Sequence, residues 1–209
     1  MQAITDIKHL TVQTLPPILV LTGEDVGQFE WLKKDILKKI GYDPSDLNYS
    51  YFDMNEASYD EVELDLVSLP FFADEKIVIL DHLLDLTTAK KRNLTDEDLK
   101  QFENYLENPS ESTRLVIFAE GKLDSKRRLV KLLKRDAQII EATTPKEQDL
   151  KRYFASQAQE LGLQFEGDSL DQLLLKSGYD FGELQKNLAL LQAYKEDGQI
   201  TLQDIEEVV

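Results

Sequence analysis

The chain has 209 residues, 42% apolar and 31% charged, a balance that supports one large domain or two small ones with cores of their own. Its net charge of −16 opposes a non-specific grip on DNA or on an anionic membrane, since both surfaces repel it at long range. With no cysteine, disulfides, thiolate catalysis and Cys-ligated zinc are excluded.

Residues 1–6 lack the basic and apolar regions of a signal peptide, and no apolar run approaches membrane-spanning length, so a cytoplasmic location is expected. A short lead-in element reaches Thr14 and is ended by Pro16-Pro17. Residues 18–21 (Ile-Leu-Val-Leu) form a continuous apolar run, the signature of a strand covered on both faces in a parallel α/β sheet. Gly23 and Gly27 then open a loop, and Phe29, Leu32, Ile36 and Ile40 recur at helical spacing before Gly41. A phosphate-binding loop belongs at this place. It requires backbone amides at a helix N-terminus, a Lys for the phosphates and a Ser or Thr for Mg²⁺. Gln28 and Phe29 follow Gly27 instead, and Glu24 and Asp25 add negative charge where phosphates would lie.

Residues 47–51 alternate polar and aromatic side chains, as in a half-exposed strand near a sheet edge. Ser58 and Glu61 form a capping box, and Val62, Leu66 and Leu69 continue a helical face ended by Pro70. Residues 76–81 are a second buried strand. Thr95 and Asp98 start the next helix, with Leu99, Phe102 and Leu106 inward and Asn108-Pro109 as its stop. Residues 114–118 form another buried strand, 125–134 a short helix with Leu129, Leu132 and Leu133 inward, and 138–141 a last strand. This alternation predicts an α/β domain with a mostly parallel, helix-covered sheet of about five strands.

The pattern changes at Thr143-Thr144-Pro145. Thr144 as N-cap, Pro145 at the first helical position and Glu147 at the third predict a helix start, and everything beyond is expected to be helical. The helices are lined by Leu150, Tyr153, Phe154 and Leu161, by Leu170, Leu173 and Leu174, by Leu184, Leu188 and Leu191, and by Leu202, Ile205 and Val209. Gly162 and Gly178 close the first two, and Thr201 caps the last. The expected division is an α/β domain over 1–143 and a small helical domain over 144–209.

A five-stranded α/β domain followed by a helical lid is the layout of an AAA+ module, and the sequence resembles the delta subunit of the bacterial DNA polymerase III clamp loader. The resemblance covers the chain and rests on Leu69-Pro70-Phe71-Phe72-Ala73-Asp74-Glu75-Lys76 running into the strand at 77–80. It rests also on the degenerate loop at Gly23 and on Leu115-Val116-Ile117-Phe118 before the basic helix. It implies an AAA+-like fold that neither binds nor hydrolyses ATP, with no cofactor and no catalytic residues. The implied role is to bind the ring-shaped sliding clamp, the beta subunit, and open one of its interfaces for loading onto primed DNA. Family members assemble with delta-prime and gamma/tau subunits through a C-terminal collar domain. The chain stops where that domain is expected to begin, which predicts a truncated piece.

Each ATPase element departs from the active pattern. Asp81 at the end of its strand is followed by His82 and not by Glu. The stretch 178–183, where active lids carry an Arg after Gly-Asp, has none, and a Ser-Arg-Cys finger cannot exist without cysteine. His9 and His82 lack a second His or Cys at ligand spacing, so no metal site is expected. The alternatives are a nucleotide-driven AAA+ ATPase with an unusual loop and an AAA+-like adaptor for another partner.

Two surfaces carry the functional expectation. Leu69, Phe71 and Phe72 either pack into the core, as large apolar residues usually do, or top an exposed turn stiffened by Pro70. The helix-breaking Pro70 and the charged 74–76 stretch favour the turn, and the resemblance places the clamp-inserting wedge there, on Leu69, Pro70, Phe71 and Phe72. The second surface is the basic run that includes Lys126, Arg127, Arg128 and Lys131. It is either a solvated helix face or a patch facing DNA or an acidic neighbour, with weak DNA binding expected outside the assembled loader.

Overall fold

The structure, a computed structural model, describes residues 1–70 and 73–209. Gln2–Ala142 forms one compact unit and Thr143–Val209 a second. In the first, a short helix α1 (Gln2–Asp6) precedes β1 (Ile18–Gly23), α2 (Val26–Lys39), β2 (Tyr49–Asp53) and α3 (Tyr59–Val67). Then follow β3 (Lys76–Asp81), α4 (Asp96–Glu107), β4 (Thr113–Glu120), α5 (Arg128–Asp136) and β5 (Gln138–Ala142). Among the described residues the sheet has five strands in the order β2-β3-β4-β1-β5, every pair parallel.

Successive strand side chains point to opposite faces, and the two faces of the sheet are both covered. Ile18 and Val20 of β1 pack with Val62 and Leu66 of α3, Phe102 of α4 and Leu129 of α5. Leu19 and Leu21 pack with Phe29, Leu32 and Ile36 of α2 and Ile7 beyond α1. A strand between two apolar layers has no polar face, which is why 18–21 read as one continuous run. β2, at the sheet edge, is half-buried throughout and starts two residues later than the alternation suggested, because Leu47 is exposed.

Helix ends follow local chemistry. The Ser58 N–H donates to Glu61 at 3.2 Å and the Thr95 N–H to Asp98 at 2.8 Å, both reciprocal caps. α3 stops at Val67, earlier than expected: Ser68 is extended (ψ 151°) and Leu69, preceding a proline, is biased away from the helical region. Leu69 therefore does not continue the Val62–Leu66 face. α5 begins at Arg128 and not at 125, since Asp124 accepts the Lys126 N–H at 3.1 Å and holds the preceding residues in a turn.

The second unit contains α6 (Glu147–Glu160), α7 (Ser169–Lys176), α8 (Phe181–Tyr194) and α9 (Leu202–Val208). Tyr153, Phe154 and Phe181 form an aromatic cluster with ring centroids 5.2 to 5.6 Å apart. Three sequence expectations are corrected here. The N-cap of α6 is Lys146 and not Thr144, with Glu147 and Asp149 in a first turn that favours negative charge. The unit is not wholly helical: Gln164–Phe165 pairs in parallel with Gln199–Ile200. Leu161 and Leu202 are exposed and line no core.

Gly23 is the tightest point of the sheet. Its φ is +134°, and a Cβ there would stand 2.1 Å from the Ala142 carbonyl oxygen of β5. Gly23→Ala is therefore expected to destabilise the protein by about 2 kcal/mol or more, read as a lowered urea midpoint with unchanged slope. An unchanged midpoint would show that β5 gives way.

Candidate functional site

The C-terminal edge of a parallel sheet is where nucleotides dock in α/β folds, and the loop after β1 would supply the amides. Here two of those amides, of Gly23 and Asp25, have partners within the fold. The Gly23 N–H donates to the Gly121 carbonyl at 3.0 Å, and Gly121 returns the bond at 2.7 Å, so the chain after β4 closes over the loop. Asp25 donates its N–H to the Ala142 carbonyl at 3.3 Å, and its carboxylate caps α2 by accepting the Gln28 N–H at 2.8 Å. The Thr22 hydroxyl also bonds the Gly121 carbonyl, at 2.7 Å. Gln28 and Phe29, where a Lys and a hydroxyl would be needed, are both buried.

Asp81, at the tip of β3 where an active site would hold Mg²⁺, is satisfied in the same way. Lys33 of α2 reaches its carboxylate at 2.5 Å, while the Tyr51 hydroxyl donates to the same oxygen. The His82 N–H donates to the other oxygen at 2.9 Å. The Lys33 ammonium also lies 5.7 Å from the Phe118 ring centroid. Burial and the adjacent carboxylate push the Tyr51 phenol well above its usual range. The His82 ring contacts Asp53 at 3.0 Å, and Asp53 is held below the usual carboxylate range first by the Asn55 N–H and then by His82. Asp81 thus has a built-in counter-ion where an ATPase needs a free ligand. Among the described residues, no group of three or more His, Cys, Asp or Glu is placed to hold a metal.

The opposite, N-terminal edge carries the connection from α3 to β3. Leu69 is 75% exposed and Pro70 is partly exposed. Phe71 and Phe72 lie outside the described residues. Leu64 (71% exposed) and Val67 (60%) add apolar surface on the outer side of α3. Both feet of this connection are fixed. Buried Lys76 donates to Ser68 Oγ at 2.7 Å, to Asp65 Oδ1 at 3.0 Å and to the Asp65 carbonyl. Arg114 grips Glu75 bidentately at 2.7 and 2.9 Å, a pairing that lowers the Glu75 pKa, and reaches the Leu15 carbonyl at 3.2 Å.

The basic run divides. Arg127 pairs with Asp124 at 3.2 Å and donates to the Asp85 carbonyl, and Arg128 pairs with Glu107 at 2.5 Å and Glu103 at 3.4 Å. Lys126 and Lys131 are exposed and have no ion pair among the described residues.

Neither Lys33 nor Arg114 was singled out from the sequence. A signal existed for Lys33: it lies four residues after Phe29, a cation on the apolar stripe of α2. Lys76 opens β3 and Arg114 is the second residue of β4, and only the fold shows what they hold.

The strand order, the closed loop after β1 and the neutralised Asp81 define an AAA+-like α/β module with a degenerate nucleotide edge. The family model for the DNA polymerase III delta subunit matches residues 19–143, more than half of the chain. The chain belongs to the DNA polymerase III delta subunit family. The Bacillus subtilis DNA polymerase III subunit delta is 28% identical over 137 residues, 65% of this chain and 40% of that protein. The solved Bacillus subtilis DNA clamp loader delta protein superposes with a TM-score of 0.69 at 22% identity, covering 100% of this chain and 61% of that one. A point variant of Thermotoga maritima RuvB gives 0.59 at 10% identity, over 99% of this chain and 67% of that one. At these identities the structural likeness speaks to fold alone. The chain spans less than two thirds of the length of its Bacillus subtilis relatives. Among the described residues no helix is long and apolar enough to cross a membrane.

Asp81 is 4% exposed and Lys33 14% at the side chain, so removing the cation strands a buried carboxylate. Lys33→Met should cost about 3–5 kcal/mol in chemical denaturation, and Lys33→Met/Asp81→Asn should recover much of the loss. Equal losses in the single and double variants would show that Tyr51 and His82 suffice for the Asp81 carboxylate without Lys33.

Proposed function

We propose that the protein is a non-catalytic arm of a clamp loader, which binds the ring-shaped sliding clamp through the α3–β3 connection and opens the ring without using nucleotide. The observation that carries this reading is Leu69, an apolar side chain three-quarters exposed on a connection pinned at both ends. An exposed large apolar side chain on a chain of charge −16 suits insertion into an apolar pocket. Fixing the feet through Lys76 and Arg114 reduces the ordering cost of binding. Pro70 stiffens the turn, and Phe71 and Phe72 are proposed to insert beside Leu69. The occupied amides at Gly23 and the Lys33–Asp81 pair support a role independent of ATP. Assembly with delta-prime and gamma/tau through a collar domain belongs to the same proposal, as does delivery of the clamp to primed DNA.

Fully burying a large apolar side chain is worth about 1.5–3 kcal/mol, so Leu69→Ala/Phe72→Ala should weaken clamp binding by roughly a hundredfold or more. Surface-plasmon binding to the cognate clamp, with melting temperatures for both proteins, is the test. Unchanged affinity with an intact fold refutes the wedge, and a collapsed melting temperature returns these side chains to the core.

A further inference from the structure

β5, at one edge of the sheet, lies against α1 and α2. β2, at the other, has no strand on its outer side among the described residues. Two contacts fix which way its main chain points: the Ile77 N–H donates to the Asn48 carbonyl at 2.9 Å, and the Met54 N–H to the Asp81 carbonyl at 2.9 Å. Main-chain groups alternate sides along a strand, so the even-numbered residues of β2 face β3, and Tyr49, Tyr51 and Asp53 face outward. The Tyr49 N–H is taken by the Asp46 carbonyl at 3.0 Å, and the Asp53 carbonyl accepts the Glu56 and Ala57 N–H groups at 2.9 and 2.8 Å. The Tyr49 carbonyl, the Tyr51 N–H and carbonyl, and the Asp53 N–H are left along the open side without a partner among the described residues.

The strand is held in place from its inner face. The Tyr49 hydroxyl donates to the Ile40 carbonyl at 2.6 Å, the Tyr51 hydroxyl donates to Asp81, and the Tyr42 ring lies 5.9 and 5.6 Å from these two rings. Open edges commonly carry a Lys, a Pro or a bulge that deters pairing. Residues 49–53 (Tyr-Ser-Tyr-Phe-Asp) have neither residue, and their register with β3 is unbroken. Beside the Tyr49 end is a cavity of about 180 Å³, walled by Val12, Tyr49 and Ile77 and edged by Asp46, Glu75 and Arg114. Arg114 is taken by Glu75, whereas Asp46 accepts the Asn48 N–H at 2.9 Å and has no ion pair among the described residues. Exposed Asp43, close by in sequence, is held below the usual carboxylate range by the Ser45 N–H and hydroxyl. At the far end, Asp53 and Glu56 share the segment with two basic groups: the His82 ring contacts Asp53 at 3.0 Å, and Lys91 bonds the Asn55 side chain at 2.6 Å. The unneutralised negative charge therefore sits at the Tyr49 end.

We propose that the outer side of β2 binds an extended segment of a partner protein as an added strand, with a Lys or Arg of that segment seated in the cavity at Asp46. In strand addition the main-chain bonds give affinity and a side-chain pocket gives preference. The apolar walls suit the stem of a long basic side chain, and the Asp46 carboxylate suits its charge. A strand already fixed by Tyr49 and Tyr51 lowers the ordering cost. A second copy of this chain would bring the same acids and a charge of −16, which opposes self-pairing. The inference does not depend on the clamp-binding reading, since it uses the free main chain of β2 and not the exposed Leu69.

The test is fluorescence anisotropy of the whole chain with a short, labelled, end-blocked peptide of alternating Lys and Thr, and with the same peptide carrying Glu for Lys. The Lys peptide should bind, and the Glu peptide at least about tenfold more weakly. Asp46→Asn, which keeps the acceptor for the Asn48 N–H, should weaken the Lys peptide at least about threefold. Asp53→Pro, which removes an outward N–H and no bond to β3, should weaken it further. If that variant is unstable, the peptide itself decides: N-methylation of one alternate set of its residues should abolish binding, and of the other set should leave it intact. Hydrogen exchange at the Tyr51 and Asp53 amides should slow when the Lys peptide is bound. No binding of the Lys peptide, equal effects of the two N-methylated sets, or exchange unchanged at both amides would overturn the proposal. So would a dimer of the parent chain that Asp53→Pro dissolves, since the edge would then belong to a second copy.

Discussion

The contact between Gly23 and the carbonyl of Ala142 sets the character of the sheet's C-terminal edge. For β5 to approach that closely, residue 23 must lack a side chain, and the Asp25 amide of the following loop turns toward the Ala142 carbonyl. Gly121 completes the closure by pairing with Gly23 in both directions. A phosphate-binding loop works because its N–H groups are unpaired until the ligand arrives. At Gly23 and Asp25 they are already bonded, and the carboxylate of Asp25 occupies the N-terminus of α2. The fold keeps the scaffold of a nucleotide edge and makes that edge part of its own packing.

Charge follows the same logic. Asp81 keeps the position from which an acidic side chain would ligate a metal, and Lys33 supplies the positive charge from inside the protein. A buried pair of this kind contributes little net stability, but either partner alone is costly, so the pair holds α2 against the strand tips. At the other edge, Lys76 and Arg114 fix the ends of the α3–β3 connection, and Leu69 is left outward. The proposed partner surface is therefore flanked by anchored residues, although it lies in a loop.

The sequence was most legible where one local rule decides. The apolar runs of β1 and β3 and the caps at Ser58 and Thr95 depend on nearest neighbours, and they fall close to where periodicity and capping chemistry put them. It was less legible where two rules compete. Thr144-Pro145 carries a helix-start signature, but the chain stays extended through Lys146 and the helix begins at Glu147. Leu69 satisfies the helical spacing after Leu66, but the residue before a proline is pushed from the helix, and it ends exposed. Two-residue strands such as Gln164–Phe165 are too short to show a period. Contacts between distant segments, such as Lys33 with Asp81 or Thr88 with Lys122, have no local signature. The missing Lys and hydroxyl of the loop were legible, whereas the bonds that close it were not.

The central claim is that the nucleotide edge is closed by the fold's own hydrogen bonds and ion pair, leaving the protein to act by binding alone. Isothermal calorimetry of the chain with ATP and Mg²⁺ tests it most directly. The account predicts no saturable heat through the millimolar range. Binding tighter than about 1 mM, worth roughly −4 kcal/mol, would contradict it.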